Sequence, residues 1–357
     1  RIPDRVLRFH YTVGLSVDTT LAQQYSETAE DPGYGDYLDR AVEYVQDHVR
    51  LAGPQIQQAC AQEGIEPINS VFWGPAYQGH MVLDYQKLLN DGLQRITERA
   101  RAWAEAHESE HGREVCRAAV HSAEGLRQTI RGYARSLREH GGGDHQRIAE
   151  CCEWVADHPP RNLRDALQLF WFTFLYDGCD NPGRFDQYMY PFYRQSLDTG
   201  VCTEAQAREL LEALWLKFNE NRAWNIVIGG QTPHGEDATN ELTYIILDLC
   251  EAFALPAPNV SVRVFPGSPD RLMERSVEVI GVGTGMPAIY NDEVIVPALE
   301  KVGIATEDAR DYAFGGCTEI QIPGKSYLGG EDGDLNLAKC FELALHNGFD
   351  PYSDQAV

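Results

Sequence analysis

Apolar residues recur at three- and four-residue spacing amid many charges from Asp39 to Ala61 and again from Tyr85 to His107, which predicts two amphipathic helices and a mainly helical first third. The same period continues through 118–140 and 145–155, on either side of Gly141-Gly142-Gly143, a flexible connection too short to separate domains. Leu163, Ala166, Leu167, Phe170 and Phe174 then form the stripe of a deeply buried helix. Thr203 with Gln206 makes a capping box ahead of Leu210, Leu211, Leu214 and Trp215, and Ser268-Pro269 supplies the N-cap and first position of a helix running to Ile280. From Phe72 to His80, Gly and Pro punctuate an aromatic cluster, which predicts a loop.

Short β-type segments stand between the later helices: Asn225 to Ile228 ahead of Gly229-Gly230, Asn259 to Phe265 with Val260, Val262 and Val264 alternating, and Met286 to Tyr290. Strands alternating with helices predict a βα-layered α/β architecture, with a barrel as its closed form. No internal repeat of fixed period and no low-complexity tract is present.

At 357 residues the chain can bury a large core, and its length fits two or three domains or one large barrel. Apolar residues make up 43% and charged residues 24%, and the longest apolar runs fall far short of a membrane span, so a soluble protein is expected. A formal charge of −24 without a basic cluster excludes a nucleic-acid partner. Nine cysteines are scattered without CxxC pairs, which fits free thiols in a reducing cytoplasm and makes a zinc site improbable. Arg1 stands where a start methionine would, and no clear terminal element follows 350, so a fragment or one part of a split protein is expected.

The segment richest in chemistry runs from Asp311 to Lys325, where Gly315-Gly316 precede Cys317 and Glu319 follows two places on. In an extended backbone residues i and i+2 project to one side, so Cys317 and Glu319 would face one substrate while Thr318 points away. Gly315 and Gly316, lacking Cβ, would let a substrate or another loop approach the sulfur, which favours an exposed loop tip inside a cavity. The segment alone leaves a second reading open: Cys317 as a small core residue and Glu319 as a solvated loop acid. A conventional cysteine nucleophile would need a His base; none stands within this segment, though His80 or His234 could arrive through space.

Gly316-Cys317-Thr318-Glu319, with Pro323-Gly324-Lys325 and the stretch from Asn336 to Leu345, resembles the cysteine loop and following helix of the glycyl radical enzymes. Further matches keep the family's order: Gly79-His80 with Asp84-Tyr85, 166–172, Gly183-Arg184-Phe185-Asp186-Gln187-Tyr188, Gly229-Gly230-Gln231-Thr232-Pro233 with 237–242, 258–263, and 283–288 with Asn291-Asp292-Glu293. Several motifs in register are far more specific than one tetrapeptide.

The resemblance implies a ten-stranded α/β barrel of two five-stranded half-barrels wrapped by helices, here partial. Residues 1–160 would be its mainly helical N-terminal portion, and 161–357 its strands and helices with the cysteine loop at 311–330. It implies a thiyl radical at Cys317. This radical would be fed by a glycyl radical that a radical S-adenosylmethionine iron-sulfur activating enzyme installs, with Glu319 as the general base. Pyruvate formate-lyase is similar but carries a Cys-Cys pair where this chain has Thr318, which argues against acyl transfer. Cys-x-Glu members are mostly eliminating lyases and dehydratases, so the implied function is a lyase acting on a small molecule. An arylacetate decarboxylase, a fumarate-adding synthase and a non-catalytic barrel module remain as alternatives.

Departures bear on the substrate. Diol dehydratases resemble His-Ser ahead of the Gly-Arg-Phe-Asp motif, where this chain has Gly178-Cys179. Glu331 stands about where glycerol-type dehydratases place an Asp that binds a substrate hydroxyl, and Asp332 follows it. The stretch from Asn219 to Gly229 is short, and Trp224 would stand in for the usual pocket aromatic or else belong to the core. The implied substrate-binding set is therefore Cys179, Trp224, Glu331 and Asp332. The family's Arg-Val-x-Gly-Tyr glycine loop is absent, and Arg131-Gly132-Tyr133 lies within a helical pattern. A C-terminal glycyl radical part or subunit would have to complete the enzyme, which is expected to be a homodimer.

Overall fold

The computed structural model describes residues 72–73, 80–106, 109–177, 180–326, 334–335, 337–351 and 355–356. Those from 80 to 326 form one compact unit, and the others belong to a second. The predicted helix from Asp39 to Ala61 lies outside the described residues, as do Cys179, Glu331 and Asp332.

The first unit opens with helices. These are α1 (Tyr85–Ala106, kinked at Gly92), α2 (Glu110–His140), α3 (Gly143–Asp157) and α4 (Leu163–Tyr176). Helix α2 starts ahead of the predicted span because the Ser109 side chain caps it, accepting from the Gly112 amide. Only Gly141 and Gly142 join α2 to α3, since Gly143 already lies in the helix. The predicted stripe on α4 is fully buried at Leu163, Ala166, Leu167, Phe170 and Phe174. Phe170 and Phe174 meet Phe218 and lie in the same aromatic core as Phe185 and Tyr85. Each such side chain contributes roughly 1.5–3 kcal/mol by leaving water.

Next come α5 (Phe185–Tyr188), α6 (Tyr190–Asp198) and α7 (Glu204–Glu220), the last beginning at the predicted Thr203/Gln206 capping box. Three parallel strands follow, β1 (Asn225–Gly229), β2 (Asn259–Val264) and β3 (Ala288–Asn291). Helix α8 (Glu241–Phe253) links the first two and α9 (Asp270–Ile280) the second two. The N-cap of α9 is Pro269, one residue later than predicted, because the Ser268 hydroxyl instead accepts from the Phe265 amide. The valine alternation on β2 does not mark a wet face: Ser261 and Arg263 between the valines are as buried as Val260 and Val262. Both faces of a parallel strand are covered here.

Helices α10 (Asp292–Lys301) and α11 (Thr306–Arg310) lead into an antiparallel hairpin of β4 (Ala313–Gly315) and β5 (Glu319–Gln321). A buried ion cluster anchors that hairpin. Arg263 pairs bidentately with Asp292 at 2.9 and 2.8 Å, both fully buried, and also donates to the carbonyls of Tyr312 and Arg310. Such a pair, with four hydrogen bonds on the guanidinium, resists opening, because losing one partner strands a buried charge. Gly230 is required beside it, since a Cβ there would lie 2.8 Å from the Arg263 side chain. The motif residues Arg184 and Asp186 are likewise structural. Arg184 donates to the carbonyls of Gly229 and Gln231 and to Asp311, and Asp186 accepts from the Gly229 amide and the Thr243 hydroxyl.

In the second unit Phe72–Trp73 pairs antiparallel with Asp334–Leu335, so these two aromatics form a short strand where a loop was predicted. A helix spans Leu337–Leu345, and Phe349–Asp350 pairs antiparallel with Gln355–Ala356. Among the described residues no helix is long and apolar enough to cross a membrane.

Candidate active site

Cys317 lies in the turn of the β4–β5 hairpin, exposed, between Gly316 and Thr318. The predicted extended course through Cys317 is therefore corrected. Gly316 adopts a left-handed conformation at φ 59°, and the chain reverses before Glu319 begins the return strand. The carboxylate still belongs to the turn, folded back so that Glu319 Oε2 accepts from the Thr318 amide at 2.9 Å. A Cβ added at Gly316 would lie 2.3 Å from His80 Cδ2 and 2.9 Å from Glu319 Oε2. An imidazole and a carboxylate thus meet the same glycine, one residue from the thiol.

His80 arrives through space, as one of the two histidines considered. Its carbonyl accepts from Gln321 Nε2 at 2.6 Å, while Gln321 Oε1 accepts from the Val82 amide at 3.0 Å. Asp180 Oδ1 stands 2.5 Å from His80 Nδ1, and Oδ2 accepts from the Met81 amide at 2.7 Å. No sequence signal joins His80 to Asp180, which lie 100 positions apart. Trp224 is 36% exposed and meets the imidazole edge-on, with ring centres 4.9 Å apart. It packs against His80 and is not part of the aromatic core.

One face of the sheet fixes the turn from below. Asn225 Nδ2 donates to the carbonyls of Gly316, at 3.0 Å, and of Cys317. Ser261 on β2 donates to Asn225 Oδ1, and Tyr290 on β3 hydrogen-bonds Ser261. These three residues step diagonally across β1, β2 and β3. Burial raises the Tyr290 phenol above its usual range, and the neighbouring Cys317 sulfur adds to the rise. Asp177, at the end of α4, has its carboxyl pushed up to about 7 by burial and then by Asp180. Its Oδ2 is buried without a hydrogen-bond partner among the described residues. No group of His, Cys, Asp and Glu among the described residues has the arrangement of a metal site.

Over residues 42–357 the chain matches the model of the pyruvate formate lyase-like family, and it belongs to that family, the glycyl radical enzymes. It is 39% identical over 225 residues to the isethionate sulfite-lyase of Oleidesulfovibrio alaskensis, a match covering 56% of this chain and 27% of that protein. It is 36% identical to the trans-4-hydroxy-L-proline dehydratase of Clostridioides difficile, over 59% of this chain and 30% of the relative. Among solved structures, the glycerol-bound B12-independent glycerol dehydratase of Clostridium butyricum superposes with a TM-score of 0.71 at 32% identity, covering 80% of this chain and 41% of that one. The chain therefore spans less than half the length of these relatives. Its architecture is α/β, like the barrels of its structural neighbours.

Proposed function

We propose that this chain carries the hydrogen-abstracting site of a glycyl radical lyase that cleaves a carbon–oxygen or carbon–sulfur bond next to a hydroxyl-bearing carbon. The observation that carries the reading is the meeting of Glu319 and His80 at Gly316, adjacent to the exposed Cys317. A thiol, a base and an acid at one turn are what a radical elimination needs. The named activities of the relatives, a sulfite-lyase and a dehydratase, support this class.

A glycyl radical on a C-terminal part, installed by a radical S-adenosylmethionine activating enzyme, would supply the unpaired electron. An exposed sulfur at a hairpin tip fits such an exchange. The Cys317 thiyl takes a hydrogen atom from the hydroxyl-bearing carbon, forming S–H and a carbon radical. Glu319 accepts the hydroxyl proton, and the resulting radical anion expels the neighbouring group with its bonding electron pair. His80 gives that group a proton. The Cys317 S–H then returns its hydrogen atom to the product radical, restoring the thiyl. Trp224 walls the site, and we assign Cys179, Glu331 and Asp332 to substrate binding.

In the same reading β1–β3 and the β4–β5 hairpin are parts of a ten-stranded barrel, with 1–160 as its helical portion and 161–357 carrying its strands. The whole enzyme acts as a cytoplasmic homodimer. The test is anaerobic activation of the full-length protein and product analysis with 2-hydroxyalkanesulfonates, vicinal diols and hydroxylated amino acids. Release of a carbonyl product from one class supports the reading, and recovery of every compound unchanged from a radical-loaded enzyme rejects it.

A further inference from the structure

We propose that Asp180 is a positioning residue that makes His80 the proton donor to the departing group. This rests on the lyase reading above and names the residue that orients its acid. Oδ1 stands 2.5 Å from Nδ1, and a carboxylate there accepts, which assigns the ring proton to Nδ1 and leaves Nε2 to exchange protons with the substrate. Nε2 is bonded to Cδ2, the atom that lies over Gly316. The side chains of His80 and Asp180 are 18% and 14% exposed, so their charge-assisted bond is shielded from competing water.

The surroundings hold this pair in register with the cysteine turn. The Asp180 carbonyl accepts from the Trp224 amide at 2.9 Å, and the Trp224 ring closes one side of the imidazole. Asn181 Nδ2 donates to the Met81 carbonyl at 3.3 Å, and Asn181 Oδ1 accepts from the Asn225 amide at 3.2 Å. Asn225 is also the residue that grips the carbonyls of Gly316 and Cys317. The dyad and the thiol therefore share one support. Among the described residues, Asp180 at Nδ1 and Glu319 across Gly316 are titratable groups beside the imidazole, while Asp177 faces Asp180 from the end of α4.

The experiment compares wild type, D180A and D180N in the full-length protein. Histidine 15N NMR, with H80Q to assign the resonance, gives the tautomer of the neutral ring, and anaerobic kinetics give kcat, KM and their pH profiles. In wild type the neutral ring carries its proton on Nδ1, and in D180A it moves to Nε2. There kcat falls at least about 100-fold with KM within about twofold, and the acid limb of the profile shifts. D180N keeps size and one acceptor, so it covers the case in which D180A does not fold. It holds the Nδ1 proton while kcat falls about 10-fold, because the carboxylate charge that steadies the protonated ring is gone. An unchanged tautomer in D180A, or wild-type kcat in either variant, overturns the proposal. Should wild type turn over no compound, the lyase reading falls, and the tautomer comparison alone decides whether Asp180 orients His80.

Discussion

Gly316→Ala tests how closely the turn is fitted to its two polar neighbours. The added methyl group would start 2.3 Å from His80 Cδ2 and 2.9 Å from Glu319 Oε2. Reaching ordinary van der Waals contact requires the imidazole to retreat by about 1 Å, and a misplacement of about 1 Å costs about 100-fold in rate. An L-residue at φ 59° adds roughly 1 kcal/mol of backbone strain. We expect kcat/KM to fall about 100-fold, or about 2.7 kcal/mol in transition-state stabilisation, with thermal unfolding lowered by only a few degrees. The assay is anaerobic turnover normalised to glycyl radical content by electron paramagnetic resonance, which separates loading from catalysis. Gly200→Ala is the control: φ is 69° there, but nothing lies within 4 Å of its Cβ position, so it carries the strain alone and keeps full activity. Gly316→Ala with kcat within twofold of wild type at equal radical content would refute this account of the turn.

Two further outcomes follow from the groups around the turn. Asp177 titrates in the folded protein at about 7 against 3.8 unfolded, so the folded state binds the proton more tightly, and stability falls as pH rises from about 4 to 7 and is level above. Asp177→Asn should remove that fall, gaining up to about 4 kcal/mol over wild type at pH 8 and little at pH 4 in urea titrations; equal gains at both pH values would contradict it. Asn225→Leu keeps volume but leaves the Gly316 and Cys317 carbonyls without their donor and Ser261 without its acceptor. A loss of roughly 2–4 kcal/mol in urea unfolding is expected, and a loss below about 0.5 kcal/mol would show that Asn225 does not hold the turn.

Much of the fold was legible from periodicity and capping because these are local signals. The α4 stripe is fully buried, and the Thr203 box begins α7 where Gln206 requires. The candidate site was legible in part. Cys317 and Glu319 could be named, but their relation could not, because an i to i+2 argument presumes extended backbone and Gly316 turns the chain instead. The Gly315-Gly316 pair pointed to an exposed loop tip, where Cys317 lies, but not to the reversal of the chain at Gly316. His80 was one of two histidines considered, and nothing local marked Asp180, since their contact spans 100 positions and exists only once the fold forms. Burial of Ser261 and Arg263 was hidden for a related reason: each is satisfied by partners distant in the chain, Asn225 on β1 and Asp292 on α10, which hydropathy alone cannot foresee.

The most direct test is Cys317→Ser in the full-length enzyme, activated anaerobically and given a compound that wild type converts. The variant should accept a glycyl radical at wild-type amplitude and release no product above about one part in 10,000 of the wild-type rate. Product formation by the serine variant within tenfold of wild type would remove the sulfur from the reaction and contradict the account.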